Sequence, residues 1–308
     1  MGYAALSLEN SAAQLANRSR HHERPGFLVT ASPGYSFAPL FVPGDRPDRF
    51  PKAAASGADG IIIDLEDAVT PAAKTRARDA VAAADLPADI VTFIRINPRH
   101  TPWYAEDLAL VATLPGVGIM LPKVESTAQI EAALRSAGTG HPVIALIESA
   151  AGIAHARAIA DAPGVNRLAF GVIDYCADLG CAALREALLM PRTELVLASR
   201  LAGLAPPLDG VSTDLEHPDA CAEEARYGAT LGFGGKLCIH PSQVLPVLAG
   251  FTPSEQELAW ARRLLALENN GAAVVDGQMV DAAVLRRARG ILERYPRLTA
   301  ISGRVIQE

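Results

Sequence analysis

The sequence lacks long hydrophobic runs and any excess of basic residues. Its longest strongly apolar stretches, at 61–63 and 143–147, are far shorter than the ~20 residues that a membrane-spanning helix needs. Lys and Arg number 28 against 34 Asp and Glu, and this net charge of -6 argues against a protein whose main role is to neutralise nucleic-acid phosphates. We therefore expect a soluble protein with neither a membrane nor a nucleic acid as its partner.

Cysteine is also scarce. The 4 cysteines are Cys176, Cys181, Cys221 and Cys238. None forms a C-x-x-C pair, and the pattern is typical of reduced, buried thiols rather than of a disulfide framework or a zinc site. Residues 1–24 lack the charged start and apolar block of a secretion signal. We therefore expect a cytoplasmic protein with a loose N-terminal leader over residues 1–36.

Apolar residues, in contrast, are plentiful and regularly spaced. They make up 50% of the chain against 20% charged residues, which excludes disorder for most of it. Short apolar runs alternate with alanine-rich amphipathic stretches, and the runs lie at 40–42, 60–63, 91–94, 118–121, 143–147, 167–170, 208–211 and 236–239. Such runs suit strands buried on both faces, and helices between them require a parallel sheet. Eight repeats predict an α/β fold, a (β/α)₈ TIM barrel over residues 37–250.

The alternative fold is an open, doubly wound sheet. That fold usually carries the phosphate-binding pattern G-x-G-x-x-G after its first strand, where this chain has PGDRP at 43–47. The glycine cluster at 232–236 resembles a P-loop, but Thr230 replaces the first glycine and Leu237 replaces the Ser or Thr that would hold magnesium. No nucleotide-binding motif remains, so the barrel is favoured.

Ionisable side chains follow nearly every apolar run. They are Asp45, Asp64, Arg95, Lys123, Glu148, Asp174, Asp214 and His240. In a barrel the carboxyl ends of the strands meet at one face, where the active site is assembled. The sequence therefore predicts an active site at that face.

Glu148 and Asp174 follow the fifth and sixth predicted strands, which are neighbours. Two adjacent carboxylates suit Mg²⁺, which takes one or two carboxylates and fills its other positions with water and substrate. The alternative is that each carboxylate caps the helix that follows it. We expect metal binding.

The segment DLED at 64–67 places three carboxylates within four residues. Strand alternation predicts that Asp64 and Glu66 point to one side and Asp67 to the other. The cations that we expect to pair with them are Arg46, Arg95 and Lys123. A structural ion network and a direct catalytic role both remain open for this segment.

Arg95 and His240 each allow two interpretations. The planar guanidinium of Arg95 suits a substrate carboxylate, and it suits pairing with Glu66 or Asp64 equally well. His240 is a lone histidine after the eighth strand, more often structural than catalytic, although its neighbouring backbone is well placed to touch a ligand.

Seven ordered blocks carry a family resemblance. They are LFVPGDRP at 40–47, IDLEDAV at 63–69, RIN at 95–97, LPKVES at 121–126, IES at 147–149, FGVIDY at 170–175 and IHPSQ at 239–243. In these blocks the chain resembles the citrate lyase beta-subunit-like branch of the HpcH/HpaI aldolase family. The segments RLAGLAPPLDGV at 200–211 and VDGQMVD at 275–281 look most like (S)-citramalyl-CoA lyases.

The resemblance implies a role for each matching position. Glu148 and Asp174 would bind Mg²⁺, and Arg95 would hold the carboxylate end of the substrate. The residues that would line the coenzyme A side are Phe41, Lys52, Ile239 and His240. Asp64, Glu66 and Lys123 would support this site from its edge. Asp281 matches a catalytic acid that reaches into a neighbouring subunit, which implies a homotrimer or a dimer of trimers.

The activity implied is magnesium-dependent cleavage of an acyl-CoA thioester, (S)-citramalyl-CoA, into acetyl-CoA and pyruvate. Three alternatives remain open: a malyl-CoA or methylmalyl-CoA lyase, a citrate lyase beta subunit, and a pyruvate aldolase that needs no coenzyme A. All of these are carbon–carbon lyases, so we expect an enzyme of that class whichever substrate is used.

The chain continues beyond the eight strand–helix repeats. Residues 251–308 predict helices at 254–267 and 281–294 with a turn-rich link between them, and we expect this segment to act as a lid. Asp281 stands at the start of the last helix, where a role as N-cap competes with the catalytic one.

Overall fold

A computed structural model describes residues 37–87, 90–266, 273–275 and 278–305. The leader expected over residues 1–36 lies outside the described residues. Eight parallel strands are hydrogen-bonded in chain order. Their bounds are β1 Leu40–Pro43, β2 Gly60–Asp64, β3 Val91–Arg95, β4 Gly118–Leu121, β5 Val143–Ile147, β6 Val165–Phe170, β7 Leu208–Asp209 and β8 Gly235–Lys236.

The sheet closes on itself between its first and last strands. Leu40 pairs in parallel with Cys238, just after β8. The N–H of Phe41 donates to the Cys238 carbonyl at 2.8 Å, and the N–H of Cys238 donates to the Pro39 carbonyl at 2.9 Å. The fold is therefore the (β/α)₈ barrel that the sequence predicts, extended by C-terminal helices.

Helices connect the strands on the outside. Up to the end of the barrel they are α1 Phe50–Ala54, α2 Lys74–Ala83, α3 Tyr104–Ala112, α4 Thr127–Ala137, α5 Ala150–Ala154, α6 Ala156–Asp161, α7 Val172–Leu179, α8 Arg185–Leu201, α9 Pro218–Leu231 and α10 Val244–Phe251. Short 3₁₀ turns also form at Pro47–Arg49, Pro71–Ala73 and Pro241–Gln243. The helical segment after β5 is divided into α5 and α6 at His155, whose backbone lies outside the helical region.

Side-chain alternation along the strands positions the site. Ile62, Phe93 and Leu146 belong to the small apolar cluster that fills the barrel interior. Side chains on a strand point to the same side at every second residue. Asp64, Arg95 and Glu148 stand two residues after Ile62, Phe93 and Leu146, so we expect them to point to the same side, at the carboxyl ends of β2, β3 and β5. The neighbouring residues Ile61 and Ile63 face outward into the larger core beneath the helices.

The C-terminal region forms α11 Glu255–Ala266, strands β9 Ala273–Val275 and β10 Gln278–Val280, and α12 Ala282–Val305. β9 and β10 pair antiparallel. Leu258, Leu264 and Ile291 contribute to an apolar cluster separate from the barrel core. None of the helices in the described part of the chain combines the length and apolar character needed to cross a bilayer.

Candidate active site at the barrel mouth

Arg95 and Asp64 form a two-point ion pair at the carboxyl ends of adjacent strands. They are register partners at the ends of β3 and β2. Nε of Arg95 donates to Oδ1 of Asp64 at 2.7 Å, and Nη2 donates to Oδ2 at 2.6 Å. The same carboxylate accepts the N–H groups of Glu66 at 2.8 Å and Ala68 at 2.9 Å, which fixes the turn after β2.

The guanidinium of Arg95 contacts two further carboxylates. Its Nη1 lies 3.1 Å from Oε2 of Glu66 and 3.3 Å from Oδ2 of Asp67, and its Cζ lies 4.7 Å from the centre of the Phe41 ring. Burial opposes the charge of Arg95, but the carboxylates outweigh it and raise its pKa above the ordinary value. The pairing of Arg95 with Glu66 and Asp64 that the sequence allows is therefore present.

Two details of the predicted network are wrong. Asp67 does not point away from Arg95, because the strand ends at Asp64 and the following turn brings Asp67 back to the guanidinium. Arg46 does not join the cluster: it is exposed and pairs with Asp48 at 3.2 Å. Arg46 and Asp48 stand two residues apart on the same turn, so they pair locally. Of the three predicted cations, only Arg95 and Lys123 therefore belong to the cluster.

Glu148 is a buried carboxylate held by main-chain atoms. It follows β5 directly, and its Oε1 accepts the N–H of Lys123 at 2.7 Å. A Cβ on Gly171 would lie 2.3 Å from Oε2 of Glu148, so only glycine fits at that position. Burial raises the pKa of Glu148 to about 8, and the nearby charges of Glu66 and Asp174 add to the effect.

Lys123 connects the two predicted metal ligands. While its N–H binds Glu148, its Nζ lies 3.4 Å from Oδ1 of Asp174, in the first turn of α7. The backbone of Lys123 has φ of 52°, the left-handed region that residues other than glycine rarely adopt. Asp174 is half-buried, and with Glu148 it presents two carboxylates to the same mouth of the barrel.

Negative charge exceeds positive charge in this cluster. The carboxylates are Asp64, Glu66, Asp67, Glu148 and Asp174, and the cations that reach them are Arg95, Lys123 and the buried Lys74, whose Nζ donates to the carbonyl oxygens of Leu65 and Glu66. Burial raises the pKa of Glu66 to about 7 against the opposing effect of Arg95. Raised carboxyl pKa values on this scale mark a site that gains by binding a proton or a cation.

The donors suit a hard divalent cation that keeps open positions. Among the described residues, no group of three or more His, Cys, Asp or Glu is arranged to enclose a metal ion. Glu148 and Asp174 together offer carboxylate oxygens only, and Mg²⁺ commonly takes one or two carboxylates beside water and substrate oxygens. The arrangement therefore fits a cation shared with a ligand better than a closed structural site.

The residues expected on the coenzyme A side are partly near this cluster. Phe41 packs beneath the guanidinium of Arg95. Lys52 is exposed on α1, and Ile239 and His240 are exposed just after β8. Gln243 belongs to the IHPSQ block, but we predicted no role for it from the sequence. Its buried amide forms hydrogen bonds with the loops that follow β7 and β8.

Asp281 caps α12. Its Oδ1 accepts the N–H groups of Ala283 and Val284, each at 2.9 Å, which is the N-cap geometry offered by the sequence as the alternative to catalysis. The bond from Val284, supported by Ala283 and Arg286, holds the pKa of this exposed carboxyl below its ordinary value. Within one chain, Asp281 is an ionised helix cap.

Comparisons with known proteins agree with this fold. The model of the family HpcH/HpaI aldolase/citrate lyase matches residues 38–241. A citrate lyase subunit beta-like protein of Mycobacterium tuberculosis is 42% identical over 285 residues, covering 89% of this chain and 99% of that protein. An L-malyl-CoA/beta-methylmalyl-CoA lyase of Cereibacter sphaeroides is 34% identical over 303 residues, covering 85% of this chain and 95% of that protein.

A solved structure is similar over most of the chain. The crystal structure of CitE from M. tuberculosis in complex with magnesium, acetoacetate and coenzyme A has a TM-score of 0.78 and 39% sequence identity. The similarity covers 85% of this chain and 98% of that one. The match to the family model, the relatives and the shared barrel together show that the chain belongs to the HpcH/HpaI aldolase/citrate lyase family.

Proposed function

We propose that this chain is a magnesium-dependent carbon–carbon lyase that cleaves a 3-hydroxy-3-carboxyacyl-CoA, with (S)-citramalyl-CoA as the substrate and acetyl-CoA and pyruvate as products. One observation carries the proposal. At the barrel mouth, the buried Glu148 lies within electrostatic reach of both the half-buried Asp174 and the guanidinium of Arg95, which Asp64 holds in place. The relatives named for citrate lyase and malyl-CoA cleavage support the same reaction class.

Glu148 and Asp174 are the residues that would hold Mg²⁺. Their fit rests on the surplus of carboxylates and on the burial that raises the pKa of Glu148 to about 8. The M. tuberculosis CitE structure contains magnesium, which supports the choice of this cation. When bound, the cation supplies a Lewis acid that lowers the pKa of a substrate hydroxyl and stabilises the alkoxide.

The side chains around it would orient the substrate. Arg95 would meet the carboxylate of the 2-hydroxy acid end with the guanidinium N–H groups that Asp64 does not occupy. Asp64 binds Nε and Nη2 by two hydrogen bonds and Glu66 contacts Nη1, so the guanidinium keeps its orientation before the substrate arrives. Because three carboxylates already surround Arg95, binding another anion there needs the additional positive charge of Lys123 and of a metal.

Cleavage ends with a proton transfer. When the bond between the hydroxyl-bearing carbon and the acyl-CoA α-carbon breaks, the hydroxyl proton passes to solvent water and the C–O group becomes the ketone of pyruvate, while the α-carbon keeps the electron pair as an enolate. That enolate takes up a proton, and Asp281 is the proposed donor. An exposed carboxyl with a lowered pKa is a poor acid at neutral pH, so this role requires a drier environment than one chain provides.

We propose that a neighbouring subunit, in a homotrimer or a dimer of trimers, provides that environment. Residues 251–308 would be the lid segment that carries Asp281 to the neighbour's barrel mouth. Large apolar side chains are exposed on α7 and α8, and they are Ile173, Leu179, Leu189, Met190, Leu197 and Leu201. Exposed apolar surface of this kind marks protein–protein contacts. Ile173 adjoins Asp174, so a contact on this surface would lie beside the barrel mouth. The four free thiols agree with a cytoplasmic location.

A substrate comparison tests the proposal. The purified protein is assayed with citramalyl-CoA, malyl-CoA, methylmalyl-CoA and free citramalate, each with Mg²⁺. We expect the highest kcat/KM with citramalyl-CoA, by a factor of about 10 to 200, since one methyl in a pocket contributes ~1–3 kcal/mol. A preference for malyl-CoA or methylmalyl-CoA would reassign the substrate, and cleavage of the free acid alone would show an aldolase. Activity only with added partner subunits would indicate a citrate lyase beta subunit.

A further inference from the structure

One buried amide joins two loops of the barrel mouth. Nε2 of Gln243 donates to the carbonyl oxygen of Ser212 at 2.8 Å, and Oε1 of Gln243 accepts the N–H of Ile239 at 2.9 Å. Ser212 follows β7, and Ile239 follows β8. Gln243 is 3% exposed, so water does not replace either hydrogen bond without opening the structure. Gln243 therefore couples the two loops.

The same segment orients the ring of His240 and selects the tautomer of its neutral form. The main-chain N–H of Ser242 donates to Nδ1 of His240 at 3.2 Å, and Oγ of Ser242 lies 2.7 Å from the same nitrogen. A main-chain N–H only donates, so Nδ1 is the acceptor and the neutral ring carries its proton on Nε2. His240 is exposed, and its Nε2–H is the ring's remaining polar group.

These contacts hold Ile239 and His240 in place, and the two exposed side chains form a small recognition surface. The exposed side chain of Ile239 offers an apolar face, and the adjacent Nε2–H of His240 offers one hydrogen-bond donor. The N–H of Gln243 also binds the carbonyl of His240 at 3.0 Å, so both recognition residues are held by the same glutamine. An apolar face beside a single donor suits a chain of alkyl groups interrupted by amide carbonyls, which is the chemistry of pantetheine.

We propose that Gln243 is the positioning residue for thioester binding: it clamps the loops after β7 and β8 so that Ile239 and His240 meet the pantetheine arm in one fixed arrangement. The identity of the ligand, a CoA thioester, rests on the proposed function. The clamp between the two loops does not, because it is a property of the loops themselves. Gln243 itself touches no reacting atom, and it acts through Ile239 and His240.

The test replaces Gln243 by methionine, which keeps the length of the side chain and removes both hydrogen bonds. We expect KM for citramalyl-CoA to rise about tenfold while kcat changes less than about threefold, because the clamp acts on binding and not on the reacting bond. Hydrogen exchange should accelerate at residues 211–214 and 239–240 together. In Ser242→Ala, which removes one donor to His240, a smaller rise in KM is expected.

Gln129 supplies the matched comparison. Its Oε1 accepts the N–H groups of Glu125 at 2.7 Å and Ser126 at 3.0 Å, and its Nε2 donates to the Lys123 carbonyl at 3.1 Å. It therefore holds the loop after β4, whose Lys123 lies on the metal side. Gln129→Met should lower Mg²⁺ affinity and kcat, and leave KM for the thioester within about threefold. The two glutamine variants should thus affect different parameters.

Each outcome decides a separate point. A Gln243→Met protein with a lower Tm but unchanged KM would show a purely structural glutamine and overturn the inference. Faster exchange confined to 239–240 would overturn the clamp, because the loop after β7 would then be held independently. A wild-type protein that neither binds coenzyme A nor cleaves any of the thioesters would refute the proposed function instead, and the exchange result would still decide the clamp.

Discussion

The main-chain N–H of Lys123 donates a 2.7 Å hydrogen bond to Oε1 of Glu148, and it does so from a backbone with φ of 52°. Left-handed backbone at a residue with a side chain is unfavourable, and where it persists the surrounding structure holds it in place. Here the strained residue contacts both carboxylates of the proposed metal site, through its N–H on Glu148 and its Nζ near Asp174. The strain therefore lies where the chemistry is proposed.

Lys123→Gly and Lys123→Ala separate the backbone of Lys123 from its ammonium. Both lose the charge, but only glycine adopts the left-handed conformation without cost. We expect Lys123→Gly to be more stable than Lys123→Ala by about 1 kcal/mol in urea unfolding. An alanine variant as stable as the glycine variant would show that the backbone is not strained at this position.

The metal-free protein should lose stability as the pH rises from about 5 to about 8.5. The folded-state pKa values of Glu66 and Glu148 are raised from 4.5 to about 7 and about 8, so between these values the folded chain binds more protons than the unfolded chain. This contribution to the free energy of unfolding is fully present below pH 4.5 and is lost as the pH rises through 7 to 8. Tm measured in EDTA across this range checks the prediction.

The control for the pH effect is the double variant Glu66→Gln, Glu148→Gln. Its Tm should depend less steeply on pH, because neither amide titrates. Added Mg²⁺ should also raise the Tm of the wild-type protein more at pH 8.5 than at pH 5.5, since carboxylate ligands bind metal in their deprotonated form. Equal slopes in the wild type and the double variant would place the titrating groups elsewhere.

Arg95→Lys tests the two roles of Arg95 at once. Lysine keeps the charge but cannot form the two-point contact with Asp64, so we expect a stability loss of about 1–3 kcal/mol. If Arg95 also holds the substrate, kcat/KM should fall by about 10²-fold as well. Urea unfolding and turnover measured on the same preparation separate the two effects.

Arg192→Lys is the matched control for Arg95→Lys. Arg192 donates from Nε to Oδ1 of the buried Asp209 at 3.0 Å, and it stands on the outer helix α8. A similar loss of stability is expected there without the loss of turnover. Near-normal turnover in Arg95→Lys would leave Arg95 as a structural residue only.

Most of the fold follows from the sequence because the strands are continuous apolar runs. Six of the eight predicted runs match strands over their whole length, whereas those at 208–211 and 236–239 correspond to strands of two residues each, Leu208–Asp209 and Gly235–Lys236. At Gly210 the chain passes so close to Val172 that a Cβ would lie 2.3 Å from its Cγ2. The hairpin of β9 and β10 was not predicted, because strands of three residues carry too little pattern.

The site was harder to predict than the fold. Position along the strands indicates that Asp64, Arg95 and Glu148 converge, because strand ends in a barrel share one face. Pairing is different: the turn that returns Asp67 to Arg95 depends on backbone geometry that side-chain alternation does not contain. The positive φ of Lys123 has no sequence signal either, since glycine or asparagine is the residue expected there.

Asp281 should act across a subunit boundary. Mixing the Asp281→Asn and Glu148→Ala proteins, each inactive alone, should restore part of the activity once subunits exchange, because one intact mouth then meets one intact Asp281. Asparagine still accepts the helix-capping hydrogen bonds from Ala283 and Val284, so the helix should persist. No recovery after exchange has been confirmed by mass spectrometry would indicate that Asp281 acts within its own chain or only as a cap.

The central claim is that Glu148 and Asp174 hold the divalent cation on which thioester cleavage depends. The most direct measurement is cleavage of citramalyl-CoA by the wild type, with Mg²⁺ and then with EDTA, beside the Glu148→Ala and Asp174→Ala proteins. The account predicts pyruvate and acetyl-CoA with Mg²⁺, and a loss of at least about 10²-fold with EDTA or in either variant that remains folded. Undiminished activity in EDTA, or in either variant, would contradict it.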